Sequence, residues 1–366
     1  MTTTLSLSRL PAADPGLDWH KCEGVLAQRA KTNGWALCVG AGTSRGPFPD
    51  WKTLVRLLMS KDSSVVNASA LRDDLSQSFS YDALIQASKD ALRMDDNDFA
   101  RLLQELLYNE LKKAAAAQWP LVNKALTTAS PGQMHRTEWR AFRAFMDKQY
   151  PTLSAMQIAK VIVSVAKSAK EPAAILSFNA EPLLYTLIHS LQAKKCRDQS
   201  ELKRTRLLDR VTRGISYREA GRIPFIFCHG LFPLEGGLKL FVKLASPEKL
   251  VFSEGEYLQL ANSSFSWQSS LFIGTAVLRS MVFIGLSFSD QNLRRWLAWI
   301  HANKRAEREF REKEGEIYGH YWIERDSGDE VRKRWIESSV RHLGVRLVWI
   351  DKWDRLGEYL ERMLSL

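Results

Sequence analysis

Four short segments carry the side chains that could do chemistry. The first is Gly40-Ala41-Gly42-Thr43-Ser44. Glycines at that spacing let backbone N–H groups approach an oxyanion, and a helix starting beyond them adds its positive dipole end. As a dinucleotide fingerprint the segment is irregular, because the third glycine, Gly46, falls one position later than G-x-G-x-x-G requires. The second segment ends in Asn179, whose amide can hold a ribose hydroxyl or a water without titrating, or can serve as a turn or cap residue. The third is His229-Gly230. A histidine titrates near neutrality and suits general-base work, and the glycine leaves room for a ligand, although a lone histidine after a strand also fits a structural role. The fourth is Gly285–Asp290, GLSFSD, in which Asp290 is placed to cap a helix.

Metal chemistry finds no support in the spacing. Cys22, Cys38, Cys196 and Cys228 contain no C-x-x-C pair, and His20, His135, His189, His301, His320 and His342 form no H-E-x-x-H. Cys38 and Cys228 lie inside apolar runs, where a reduced core thiol is expected, in keeping with a cytoplasmic protein.

The elements that must position these segments read as strand and helix in alternation. Buried runs are expected at 35–42 (WALCVGAG), 173–179 (AAILSFN), 223–230 (IPFIFCHG), 249–253 (KLVFS), 280–290, 317–324 (IYGHYWIE) and 345–351 (VRLVWID). Helices are expected at 17–33, after Pro49, at 182–193, at 254–278, after Asp290, and at 329–342 and 353–365. Residues 67–169 change character: apolar positions recur at helical spacing, as in Leu102, Leu103, Leu106 and Leu107, and no strand is evident. The fold class that follows is α/β, a Rossmann-like doubly wound parallel sheet with an inserted helical subdomain. The division is 1–66 for the first strand and nucleotide-binding loop, 67–170 for the insertion, and 171–366 for the rest of the sheet domain. Ligands of such sheets sit at the carboxyl ends of the strands, which is where all four segments stand.

Composition excludes several classes. At 45% hydrophobic and 25% charged the chain is not globally disordered. Residues 1–16 read as a loose tail with no apolar core of a signal peptide. The longest apolar stretch, 271–288, is broken by Arg279 and Ser280, so no membrane span is expected. The net charge is +11, and residues 194–222 hold ten Lys/Arg against four Asp/Glu. Such a run is a solvated face, or a contact for nucleic acid or a protein partner.

GAGTSRGPFPDW, LSFNAEPLL, FCHG and FIGLSFSDQNLR, in that order, resemble the sirtuin-like NAD-binding domain. The closer likeness is to the sirtuin-like effectors of bacterial antiviral defence. The proline and Trp51 that follow the glycine loop carry it, as do the GLSFSD loop leading into a helix and VFSEGEYLQL at 251–260; Phe48, Trp51 and Glu181 are then implied to line the NAD site. The likeness spans most of residues 30–300. It implies NAD as substrate, with Gly40, Ala41, Gly42, Thr43 and Ser44 as the phosphate-binding loop. Asn179 matches the catalytic Asn and His229 the catalytic His. Gly285 and Ser287 match the loop holding the adenosine side, with Asp290 starting its helix. Two features depart from the deacylases: the zinc module has no counterpart, and Glu181 stands where the family often has Asp.

The resemblance therefore implies an NAD hydrolase that depletes the dinucleotide during infection. It would be held in check until assembly as a homo-oligomer, or a partner such as a HerA-type ATPase or a short Argonaute, switches it on. The rival expectations are a deacylase or ADP-ribosyltransferase of the same fold, and a non-catalytic nucleotide- or nucleic-acid-binding module using 194–222.

Overall fold

The computed structural model describes residues 17–18, 22–62, 69–212, 221–232, 266–310 and 319–366. The expected tail at 1–16, the strand at 249–253 and the segment 251–260 lie outside these residues.

The chain is α/β. Its strands are β1 (Leu17–Asp18), β2 (Trp35–Val39), β3 (Ile175–Ser177), β4 (Leu208–Val211), β5 (Ile223–Phe227), β6 (Ser280–Ile284), β7 (His320–Arg325) and β8 (Val345–Ile350). They form one sheet in the order β1-β8-β7-β6-β2-β3-β5-β4, with every pair parallel. A parallel sheet needs cover on both faces, so its strands are apolar on both sides. In β2, Trp35, Leu37 and Val39 enter one hydrophobic cluster, and Ala36 and Cys38 enter another.

The first face is covered by α1 (Val25–Lys31), α2 (Trp51–Met59), α9 (Leu183–Lys195) and α14 (Leu356–Met363), together with helices that lie between β2 and β3. Those are α3 (Ser69–Ser78), α4 (Tyr81–Leu92), α5 (Asp96–Ala115), α6 (Trp119–Thr127), α7 (Arg136–Gln149) and α8 (Ser154–Val165). Trp139 and Phe142 of α7 and Ile158 and Ile162 of α8 join the same cluster as the sheet. The connection therefore shares the sheet's core. On the second face lie α11 (Trp267–Leu278), α12 (Gln291–Phe310) and α13 (Glu330–Arg341), through Phe272, Leu293, Leu297 and Val340.

Two strands differ from expectation. β4 lies inside the basic stretch, after α10 (Gln199–Arg204). Only its end residues are buried, and Asp209 pairs with Arg222 at 3.2 Å. Charges on a short edge strand discourage pairing with another chain, and they also hide the strand from an apolar-run reading. β1 is a two-residue edge against β8. The other expected runs are β2, β3, β5, β6, β7 and β8.

Strand order sets the site. The chain leaves β2 for β3 on one side and returns to β6 on the other. The reversal makes a crevice at the carboxyl ends, and β6, β2, β3 and β5 are four consecutive strands of the sheet. The four candidate segments follow those four strands.

Candidate active site

The glycine loop and the loop after β6 interlock. Gly40 N–H donates to Ile284 O, Gly42 N–H to Gly285 O and Thr43 N–H to Gly40 O, each at 3.0 Å. A Cβ on Gly40 would stand 2.6 Å from Gly285 O, and one on Gly285 would stand 2.6 Å from Thr43 N. Gly285 also has φ +68°, which suits glycine. These three N–H groups are thus used inside the protein, and the glycines serve close backbone approach. That differs from a cradle in which the same N–H groups point at a phosphate.

Asn179, Glu181, Thr43 and Ser44 form a buried polar knot. Ser44 Oγ donates to Glu181 Oε1 at 2.6 Å, and Asn179 Nδ2 donates to the same oxygen at 2.9 Å. Asn179 Nδ2 also lies 3.4 Å from Thr43 Oγ1 and 3.3 Å from Ser44 Oγ. Glu181 Oε2 accepts from the Leu183 N–H at the start of α9. Burial pushes the Glu181 carboxyl up to about 7, against the three hydrogen bonds from Ser44, Leu183 and Asn179. With its Nδ2 so held, Asn179 presents a buried Oδ1 that has no partner among the described residues. A buried acceptor left in that state costs about 1–3 kcal/mol, so it is a place for a ligand hydroxyl or a water.

His229 is 5% exposed. Burial lowers its pKa, while Asp290 and a hydrogen bond to the Phe178 backbone work the other way. Its Nε2 stands 3.8 Å from Asp290 Oδ2. Asp290 Oδ1 meanwhile accepts from Asn292 N at 2.8 Å and Leu293 N at 3.2 Å, capping α12. One carboxylate thus starts a helix and faces the histidine.

Asn179 and His229 do not share one cavity. A space of about 30 Å³ is lined by Ala41, Ser44, Phe48, Trp51, Asn179 and Glu181, among others. Another of about 10 Å³ is lined by His229, Gln268, Asp290, Asn292 and Trp296. Phe178 lines both and sits edge-on to the His229 ring at 5.1 Å. Trp51 approaches the same ring at 6.4 Å, and Phe48 is buried edge-on against Tyr108. Ser287 stands apart: its Oγ meets Ser289 Oγ at 2.6 Å, and it lines a third cavity. Sequence reasoning misses Phe178, which reads as core, and the pairing of His229 with Asp290, which are distant in the chain.

The two roles of Asp290 can be separated. Asp290→Asn keeps an N-cap oxygen, so melting should move little. Asp290→Ala should cost about 1 kcal/mol. Both remove the charge that raises the His229 pKa, so in an NMR titration the imidazole should titrate at lower pH in each. An unchanged midpoint in Asp290→Asn would remove Asp290 from the account of His229.

The fold and site define a class: a doubly wound, Rossmann-like α/β sheet with buried polar groups at its switch point. Residues 229–343 match the SIR2-like domain family. The match takes in His229, Gly285, Ser287 and Asp290, while the glycine loop and Asn179 precede it. A search of curated proteins finds no match. Among the described residues no three His, Cys, Asp or Glu side chains gather as metal ligands, and no helix is long and apolar enough to cross a membrane.

Proposed function

We propose that this protein cleaves the bond between nicotinamide and ribose in NAD, releasing nicotinamide and ADP-ribose. The observation that carries the reading is Asn179, with its amide nitrogen clamped by Glu181 and its Oδ1 unpartnered among the described residues, beside the glycine loop. The SIR2-like match around His229 supports it. Glycosidic cleavage passes through an oxocarbenium-like transition state. The cationic nicotinamide leaves readily, so the protein must hold the ribose and supply a water. Asn179 Oδ1 accepts from a ribose hydroxyl or that water. His229, kept neutral by burial, accepts the proton, and Asp290 stabilises the imidazolium that results. Phe178 lines the cavity beside Asn179 and the cavity beside His229, and so stands between the two groups the reaction needs.

A hydrolase of this kind would exhaust its own cell. We therefore read it as a cytoplasmic effector of antiviral defence, switched on by homo-oligomer assembly or by a partner, with a HerA-type ATPase favoured over a short Argonaute. Four reduced, buried cysteines are compatible with that compartment. The basic stretch 194–222 is the contact offered to a protein partner or a nucleic acid.

The test is product analysis after incubation with NAD, with and without the product of a neighbouring gene. Nicotinamide and ADP-ribose are expected in equal amounts. Transfer of ADP-ribose to protein, or a cyclised product, would replace hydrolysis. No nicotinamide under either condition would overturn the reading.

A further inference from the structure

A third cavity, of about 340 Å³, opens beside the crevice. That is the scale of a small-molecule site, about 300–1,000 Å³. Its near wall is Ser287 and Phe288, in the loop that begins at Gly285 against the glycine loop. Two residues of chain span at most about 7 Å, so the wall lies close to the crevice. Phe288 has φ +53°, a costly conformation for a bulky residue and of the kind that gathers at ligand clamps.

The lining is aromatic at the base and cationic around it. The Phe288 and Trp322 rings lie 4.6 Å apart, and Trp349 of β8 joins them. Trp349 Nε1–H is satisfied by Glu337 at 2.7 Å. Trp322 is 5% exposed, and its Nε1–H has no partner among the described residues. A buried indole N–H in that state calls for an acceptor. Arg294, Arg325 and Arg332 line the cavity against a single acid, Glu324. Arg294 is held by the carbonyls of Phe288 and Ser339. Arg325 and Arg332 are exposed, ready to close on an anion.

We propose that Arg325 and Arg332 bind a phosphate monoester on the ribose at the adenosine end of the dinucleotide, so that the 2′-phosphorylated dinucleotide is preferred over NAD. The inference rests on the reading of the crevice as a dinucleotide site. The purine lies against Trp322 and Phe288. Glu324 accepts from the free ribose hydroxyl. The two guanidiniums supply the charge-assisted bonds that a phosphate favours.

The probes are adenosine 2′,5′-bisphosphate and ADP, titrated calorimetrically into the full chain at fixed salt. The bisphosphate should bind at least ~10-fold more tightly, as for one or two charge-assisted pairs. Arg325→Ala with Arg332→Ala should bring the ratio towards one. Both arginines are on the surface, so folding is not at stake. Equal affinities in the unaltered chain would overturn the proposal, and so would a ratio that survives the double substitution. Failure of the cleavage reading is visible separately, as no nicotinamide released from either dinucleotide while the affinity ratio stands.

Discussion

Asn179→Ala and His229→Ala should each lower nicotinamide release from NAD by about 100- to 10,000-fold, the span of a lost positioned base or orienting group. The two losses should have different characters. Removing Asn179 deletes the Oδ1 acceptor and leaves Glu181 with Ser44 and Leu183 as its remaining donors. The ribose or water is then held less well, and the deficit should appear in both kcat and KM. Removing His229 deletes the proton acceptor, so the deficit should lie in kcat and respond to added imidazole. The fold should persist in both. Neither residue belongs to the hydrophobic clusters of the sheet, and each stands beyond the carboxyl end of its strand. Circular dichroism and melting of the variants separate lost chemistry from lost structure. Full activity in both would remove these residues from the mechanism.

Much of this arrangement is legible in the residues alone, for identifiable reasons. β2 and β6 are short apolar runs ending at Gly40 and Gly285, and the helix after β6 begins at an Asp that caps it. Strong punctuation of that kind survives translation into structure. β4 does not carry it: Leu208-Asp209-Arg210-Val211 buries only its ends, and its charges answer Arg222 across an edge. The site shows the same split. That Asn179, His229 and the two glycine loops meet follows from strand order. What holds them there does not. Glu181 accepts from three groups on two segments, and Asp290 reaches back to His229 from the far side of a sheet connection. The aromatic and arginine lining of the third cavity comes from β7, β8, α12, α13 and a loop, and no local pattern marks it.

Glu181 sets the second large expectation, because two effects on it oppose each other. Every group that bonds to it is a donor, which favours the carboxylate, and complete burial favours the acid. Burial prevails, and the group titrates at about 7 instead of 4.5. The sign follows from linkage. Between pH 4.5 and 7 the unfolded chain releases a proton that the folded chain keeps. This contribution is full below 4.5 and is lost as pH rises through 7. The shift corresponds to about 3 kcal/mol. His189 and His320 slope the other way. Burial lowers each to about 3, so their contribution is present above 6.5 and is lost as pH falls towards 3. Stability should therefore peak near neutrality. Glu181→Gln isolates one limb: it cannot ionise, and its amide cannot accept both from Leu183 N–H and from the Ser44–Asn179 pair. It should be less stable than the unaltered chain at pH 4.5 by roughly one hydrogen bond, about 1 kcal/mol. It should then gain on the unaltered chain by about 3 kcal/mol as pH rises to 8. Denaturant melts of both proteins across that range measure the difference. Parallel curves would mean that Glu181 is ionised throughout, its three donors outweighing its burial, and Asn179 would then be clamped at every pH at which the protein is folded.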